Sequence, residues 1–283
     1  MTERAKKLLL LYYKQSRKIR RVSGLPPLTF KAKKAGTLKD YRIYGNTAGG
    51  ESVGDLVESG EHAGEYKVAV KVEGKNLLPN TATSQTKDGV TFTVNSDGSV
   101  TCNGTASTTV LYVISSKTFS LPVGRYKLNG APTGGGQDYN FKLDVRVSTN
   151  TYYPDTGNGI RFNILQGEPI TICRIVIYSG YTCNNLTFYP MIRKADIEDD
   201  TYEPYRTPVT TPIYLPEPIK MVGDEAEYID YAEQKMHRIG ADDIDVTLPE
   251  LPVLPGTNTL TVGTEVQPSG VEIKGRIKAA GGD

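Results

Sequence analysis

Between Val90 and Cys102 apolar side chains recur at every second position: Val90, Phe92 and Val94, then Val100 and Cys102, with Ser96-Asp97-Gly98 in the gap. A period of two gives each segment one apolar face, the pattern of a strand buried on one side. A two-residue Asp97-Gly98 turn would set Val94 opposite Thr101 and mix the faces. A loop of Ser96-Asp97-Gly98, or a five-residue loop around it, sets Val94 opposite Val100 and Phe92 opposite Cys102, with Gly98 in the left-handed conformation. A slip of one residue would turn the whole apolar row outward, so the sequence predicts the longer loop.

The same alternation recurs through residues 76–205. Short apolar-alternating runs are separated by LPVGRY, TGGG and NTYYPDTGNG. Many short strands bounded by turn residues predict an all-β protein, its central domain over 76–205 being an antiparallel β-sandwich or jelly roll. In ITICRIVIY, Cys173 shares a face with Ile175 and Ile177 and is expected in the core. Residues 28–75 read as a β-strand arm, with Tyr66, Val68, Val70 and Val72 on one face of a half-exposed strand. Residues 206–283 read as a Pro-rich linker, punctuated by Pro208, Pro212, Pro216 and Pro218, and a small C-terminal β module. The one strong helix signal covers 3–22: Leu8, Leu11, Tyr12, Ile19 and Val22 approximate an apolar stripe, and Gly24 with Pro26-Pro27 stops it. So narrow a face does not stabilise a lone helix, so residues 1–27 are expected to be a basic amphipathic docking helix.

Net charge is +1, but thirteen Lys/Arg against two acids fall in residues 1–42, leaving the rest of the chain at −10. A basic arm on an acidic body suits an acidic partner or a solubilising tail. No nucleic-acid-binding motif accompanies it, and specific nucleic-acid binding is not expected. Three widely spaced cysteines are no disulfide framework. The apolar run Leu8–Tyr13 is too short to span a bilayer, and KQSRKIRR follows it in place of a cleavage site, so no membrane span and no secretion signal are expected.

NLLPNTATSQTKDGVTFTVNSDGSVTCNGTAS, FSLPVGRYKLNGAP and NNLTFYPMIRKADIEDDTYEPY, flanked by DYRIYGN, SGEHAGEYKVAVKVEGKNLL, TPIYLPEPI, DYAEQKMHRIG and LPELPVLPGTNTLTVGTEVQPS, resemble minor structural or tail-tip proteins of phages and prophages of low-GC Gram-positive bacteria. The resemblance spans roughly residues 36–275. It implies a virion component of tail tip, baseplate, fibre, adaptor or head decoration, assembled in the host cytoplasm beside other phage structural proteins, commonly with threefold symmetry. Its jelly roll is similar to carbohydrate-binding modules, which implies recognition of a host cell-surface glycan.

Chemistry-bearing residues are sparse. His62 and His237 form no metal-spaced pair, the cysteines form no CxxC, and no GxSxG elbow is present. Asp199-Asp200 and Asp242-Asp243-Asp245 are sequence neighbours, which does not establish the facing carboxyls of a glycosidase. No catalytic site, metal or cofactor is expected, and an envelope-polysaccharide-degrading enzyme ranks last among the readings. Asp155 and Asp138 lie in loops whose oxygens suit calcium. For sugar binding, flat rings beside polar groups are needed. Tyr152 and Tyr153 lead, with Tyr139 and Tyr181 next, and Gln137, Asp138, Asp155 and Asn184 nearby in sequence. One of the Tyr152-Tyr153 pair pointing into the sandwich edge is the competing structural reading.

Overall fold

In a computed structural model, the structure describes residues 28–32, 35–38, 42–44, 54–148, 151–165, 168–222, 225–253, 255–262 and 272–274. The expected helix, with Leu8, Leu11, Tyr12, Ile19 and Val22, lies outside the described residues. Among those described, the regular structure is strand only, paired antiparallel in several sheets.

The chain divides into two units, one of residues 73–207 and one of 1–72 with 208–283. Residues 28–75 and 206–283, expected as separate segments, therefore belong largely together. Leu28–Ala32 pairs with Gly256–Val262, and Val209–Leu215 pairs with Tyr66–Gly74, Ile213 opposite Val68. Arg42–Tyr44 pairs with both Tyr228–Asp230 and Glu272–Lys274. Buried residues of this unit, Val68, Val70, Ile213, Leu215, Ile229, Met236, Leu251 and Leu260 among them, form one core.

Among the described residues, the 73–207 unit is built from three sheets. The first runs Thr182–Phe188, Val100–Thr105, Val90–Val94, Gln85–Lys87. The second runs Phe119–Ser120, Pro169–Ile177, Phe141–Val147, Thr151–Asp155, with Val110–Ser115 also on Pro169–Ile177. The third runs Ile160–Ile164, Gly124–Asn129, Met191–Lys194. In the first sheet Val94 faces Val100 and Phe92 faces Cys102, the register that the apolar row required, and Gly98 takes φ +82° in the turn. Phe92, Cys102, Tyr112, Tyr126, Leu143, Cys173, Phe188 and Ile192 share one core drawn from all three sheets. Phe92 stacks on Tyr112 at 4.1 Å between ring centroids, and the buried Tyr112 hydroxyl donates to the Thr83 carbonyl at 2.9 Å.

The two ends of this unit are joined by polar side chains. Lys75 is buried, and its ammonium donates to the carbonyls of Asp199 and Thr201 and meets the carboxylates of Asp199 (3.4 Å) and Glu203 (3.2 Å). Asn76, 2% exposed, uses its full hydrogen-bonding capacity. Its Nδ2 donates to the carbonyls of Pro190 (3.1 Å) and Glu203 (3.0 Å), and its Oδ1 accepts from the N–H groups of Leu78 (3.0 Å) and Ile192 (3.3 Å). Buried polar groups survive in a core because they are satisfied in this way.

Candidate functional site

Successive residues of a strand point to opposite faces of its sheet. In FKLDVRV, residues 141–147, Phe141, Leu143, Val145 and Val147 enter the core, so Lys142, Asp144 and Arg146 stand on the opposite face. In PITICRIVI, residues 169–177, Cys173, Ile175 and Ile177 face inward and Ile172, Arg174 and Val176 outward. Register lines these up. Tyr152 is opposite Arg146, which is opposite Ile172. Pro154, Asp144, Arg174 and Val113 form the next row, and Lys142, Val176 and Leu111 the third.

This outward face has a polar centre. Arg174 grips Asp144 with two hydrogen bonds, Nε to Oδ1 at 2.9 Å and Nη2 to Oδ2 at 3.3 Å. Asp144 is only 1% exposed although it faces away from the core. Arg174 lies on it, and Tyr152 lies close to Arg174 in turn. Tyr152 stands on the strand beyond Phe141–Val147 from Arg174, yet its ring centroid lies 4.9 Å from the Arg174 guanidinium, so the ring leans across the intervening strand. The Arg146 guanidinium is 5.8 Å from the same ring, and it donates to Thr171 Oγ1 at 2.8 Å and to the Tyr152 hydroxyl at 3.4 Å. Thr171 sits where the register shifts beside Arg146. Burial works against the charge on Arg174, but the Asp144 hydrogen bond and charge, with Tyr152 adding, outweigh it and hold the guanidinium above its ordinary pKa. At the far end of the same strand Lys142 donates to the Gln137 carbonyl at 2.7 Å and lies over the Tyr178 ring. The arrangement is an aromatic ring braced by two cations, 41% exposed, with a fixed carboxylate beneath it and an ammonium along the strand. It can cover an apolar sugar face while its phenol hydroxyl and flanking cations meet sugar hydroxyls, the buried Asp144 serving to hold Arg174, and it holds no nucleophile–base pair.

The residues expected from sequence part company here. Tyr152 is on this open face. Tyr153 points the other way and packs on Phe162 at 5.4 Å, against the core. Tyr181 packs edge-on against Phe141, and burial, then the neighbouring Cys183, raises its pKa. Asp155 is buried, and its carboxylate accepts from the N–H groups of Ala131, Gly157 and Gly159 at 2.7–2.9 Å, so it anchors the turn after its strand. Gln137, Asp138 and Tyr139 are exposed in the connection before Phe141. The Tyr139 ring covers Gly136, where an added Cβ would fall 2.4 Å from it. Asn184 is exposed on Thr182–Phe188, a strand of a different sheet from Tyr152. Asp144, Arg146, Arg174 and Lys142 went unread in the sequence. Their signal was charge at alternate positions of otherwise apolar strands.

Comparison with protein-family models, with curated proteins and with solved structures returned no match for the chain.

Proposed function

We propose that this chain is a non-enzymatic structural protein of a phage particle, and that its 73–207 unit is a jelly-roll sandwich displaying a glycan-binding face to the host envelope. The observation that carries the reading is the Tyr152 ring held over the Asp144–Arg174 pair on an outward sheet face. An aromatic ring fixed before the ligand arrives loses little freedom on binding, and flanking donors and acceptors read hydroxyl positions. The enclosure of one core by the sheets of this unit supports the sandwich. The sequence resemblance supports the particle, and with it threefold assembly and neighbouring phage proteins, while the apolar stripe and basic charge of the N-terminal segment support docking through residues 1–27. Each glycan site of this size is shallow, so repetition by symmetry supplies the avidity.

The test is retention of the full chain on purified cell-wall polysaccharide from a Gram-positive host, compared with Tyr152→Ala. Binding lost in the variant at an unchanged melting temperature supports the reading. Equal retention of both proteins removes Tyr152 from it, and hydrolysis of the polymer would overturn the non-enzymatic part.

A further inference from the structure

In the other unit, Tyr228–Asp230 and Lys235–His237 form a hairpin with Tyr228 opposite His237. The two rings stack at 4.4 Å, which fixes the imidazole plane. His237 Nδ1 lies 2.8 Å from Asp243 Oδ2. A carboxylate on one ring nitrogen selects the tautomer that carries its proton there and leaves the other nitrogen as a lone pair. That other nitrogen, Nε2, is sealed from solvent and makes no hydrogen bond. Yet Glu233 Oε2 stands only 3.2 Å from it. Two electron-pair donors so placed repel each other unless a cation lies between them. A proton on Nε2 would pair with the Glu233 carboxylate but would not point at it in an aligned hydrogen bond, so the nitrogen's direction is left open to another cation. Asp230 completes the group: its ligand atom, that of Glu233 and that of His237 all lie within 4.8 Å of one another. Asp230 is 3% exposed, and its Oδ1 accepts from the N–H groups of Ala232 and Glu233, so its carboxylate is held in place by the turn.

We propose that Asp230, Glu233 and His237 bind one divalent transition-metal ion, with Asp243 orienting the imidazole from behind. One imidazole nitrogen with two carboxylates favours Zn²⁺ over Ca²⁺ or Mg²⁺, which prefer oxygen alone. Ligand atoms about 2.1 Å from a tetrahedral zinc stand about 3.4 Å apart; the His237–Glu233 pair is already at 3.2 Å and the group lies within 4.8 Å, so it tightens by at most about 1.4 Å. Glu233 can supply that movement, because its side chain is half-exposed and lies in the turn. Solvent reaches the site from its side and supplies the remaining ligand. The ion would tie the hairpin turn to the segment carrying Asp243.

The test is calorimetric titration of the metal-stripped full chain with ZnCl₂, with CoCl₂ in parallel followed by NMR of the ring protons. The chain has two histidines, so the signals of His62 and His237 separate the sites. The proposal expects one equivalent of Zn²⁺, a Zn²⁺-dependent rise in melting temperature, and broadening by Co²⁺ of the His237 signals alone. Binding should vanish in His237→Gln, weaken about 10–100-fold in Asp243→Asn, and fall at least as far in Glu233→Gln, whose exposed position spares the fold. His62→Gln should bind as the unaltered chain does. Absence of saturable Zn²⁺ binding would overturn the proposal, as would binding untouched by Glu233→Gln and His237→Gln. His237 ring signals unchanged by saturating Zn²⁺ would overturn it as well.

Discussion

Asn76→Ala isolates how much the closure of the 73–207 unit depends on one side chain. The substitution strips partners from four backbone groups: the carbonyls of Pro190 and Glu203, and the N–H groups of Leu78 and Ile192. A buried polar group left without a partner costs about 1–3 kcal/mol. Water entering the vacated volume re-satisfies part of the set, which brings the expected loss to about 4 kcal/mol. That is a large share of the ~5–15 kcal/mol that holds a domain folded. At about 2.1 cal/mol/K per residue, a unit of this length unfolds with an entropy near 0.3 kcal/mol/K, so the melting temperature should fall by roughly 14 °C. Circular dichroism melts of the full chain measure the loss, and hydrogen exchange assigns it to peptides from 73–207. Asn76→Asp is the companion variant. It keeps the acceptor but sets a carboxylate against the Pro190 and Glu203 carbonyls at neutral pH, which raises the folded-state pKa of that group. Its damage should therefore be largest above the ordinary carboxylate range and should lessen as pH falls and the acid gains an O–H to donate. A loss under about 1 kcal/mol for Asn76→Ala, the size of a single net hydrogen bond, would refute the reasoning.

Tyr152→Ala and Tyr153→Ala should separate cleanly: the first keeps the melting temperature, while the second loses about 1–3 kcal/mol because its half-buried ring is packed on Phe162. Lys75→Met should cost about 3–5 kcal/mol, measured by denaturant unfolding, since it leaves the Asp199 and Glu203 carboxylates facing a buried methyl group. Hydrogen bonds from Ser99 hold the Asp97 carboxyl below its usual pKa, and at Asp200 bonds from Arg193 and Lys127 outweigh desolvation to the same effect. Their stabilisation is present above about pH 4 and lost as pH falls through the depressed values. Acid titrations of Asp97→Asn and Asp200→Asn should therefore show a weaker loss of stability below that pH than the unaltered chain. Burial raises the thiol pKa of Cys102 and Cys173, and that of Cys183 to about 11. Alkylation at pH 8 should therefore track unfolding, and fast labelling of the native chain would contradict the core placement.

Local pattern carried much of the 73–207 unit and little of the other. The Val94–Val100 register followed from face consistency alone, and Cys173 followed from its period with Ile175 and Ile177. Pairings such as Leu28–Ala32 with Gly256–Val262 join segments more than two hundred positions apart, and nothing in either segment names its partner. At the candidate site, Tyr152 and Tyr153 looked equivalent as neighbours in one loop. Their strand alternates, and parity sends one ring out and the other in. Asp144 and Arg174 carry no mark of each other in the sequence, because cross-strand register, not sequence distance, makes them a pair. Asp155 had the surroundings of a ligand-contacting loop acid, but its three backbone donors lie on both sides of it in sequence, and the chain's path through the turn had to be known first.

The meeting of Lys75 and Asn76 with residues 199–203 also fixes a load path. Tension arriving along the chain at Glu73 and leaving at Thr207 acts first on the Lys75 ammonium and the Asn76 amide, which link the two ends directly. Strands such as Phe141–Val147 lie outside that short circuit and stay slack until it breaks. The same short circuit makes the unit a cassette. With both ends tied at one place, it can be cut out and spliced into a surface loop of an unrelated scaffold, or exchanged by recombination for another unit, without requiring the host chain to span its width.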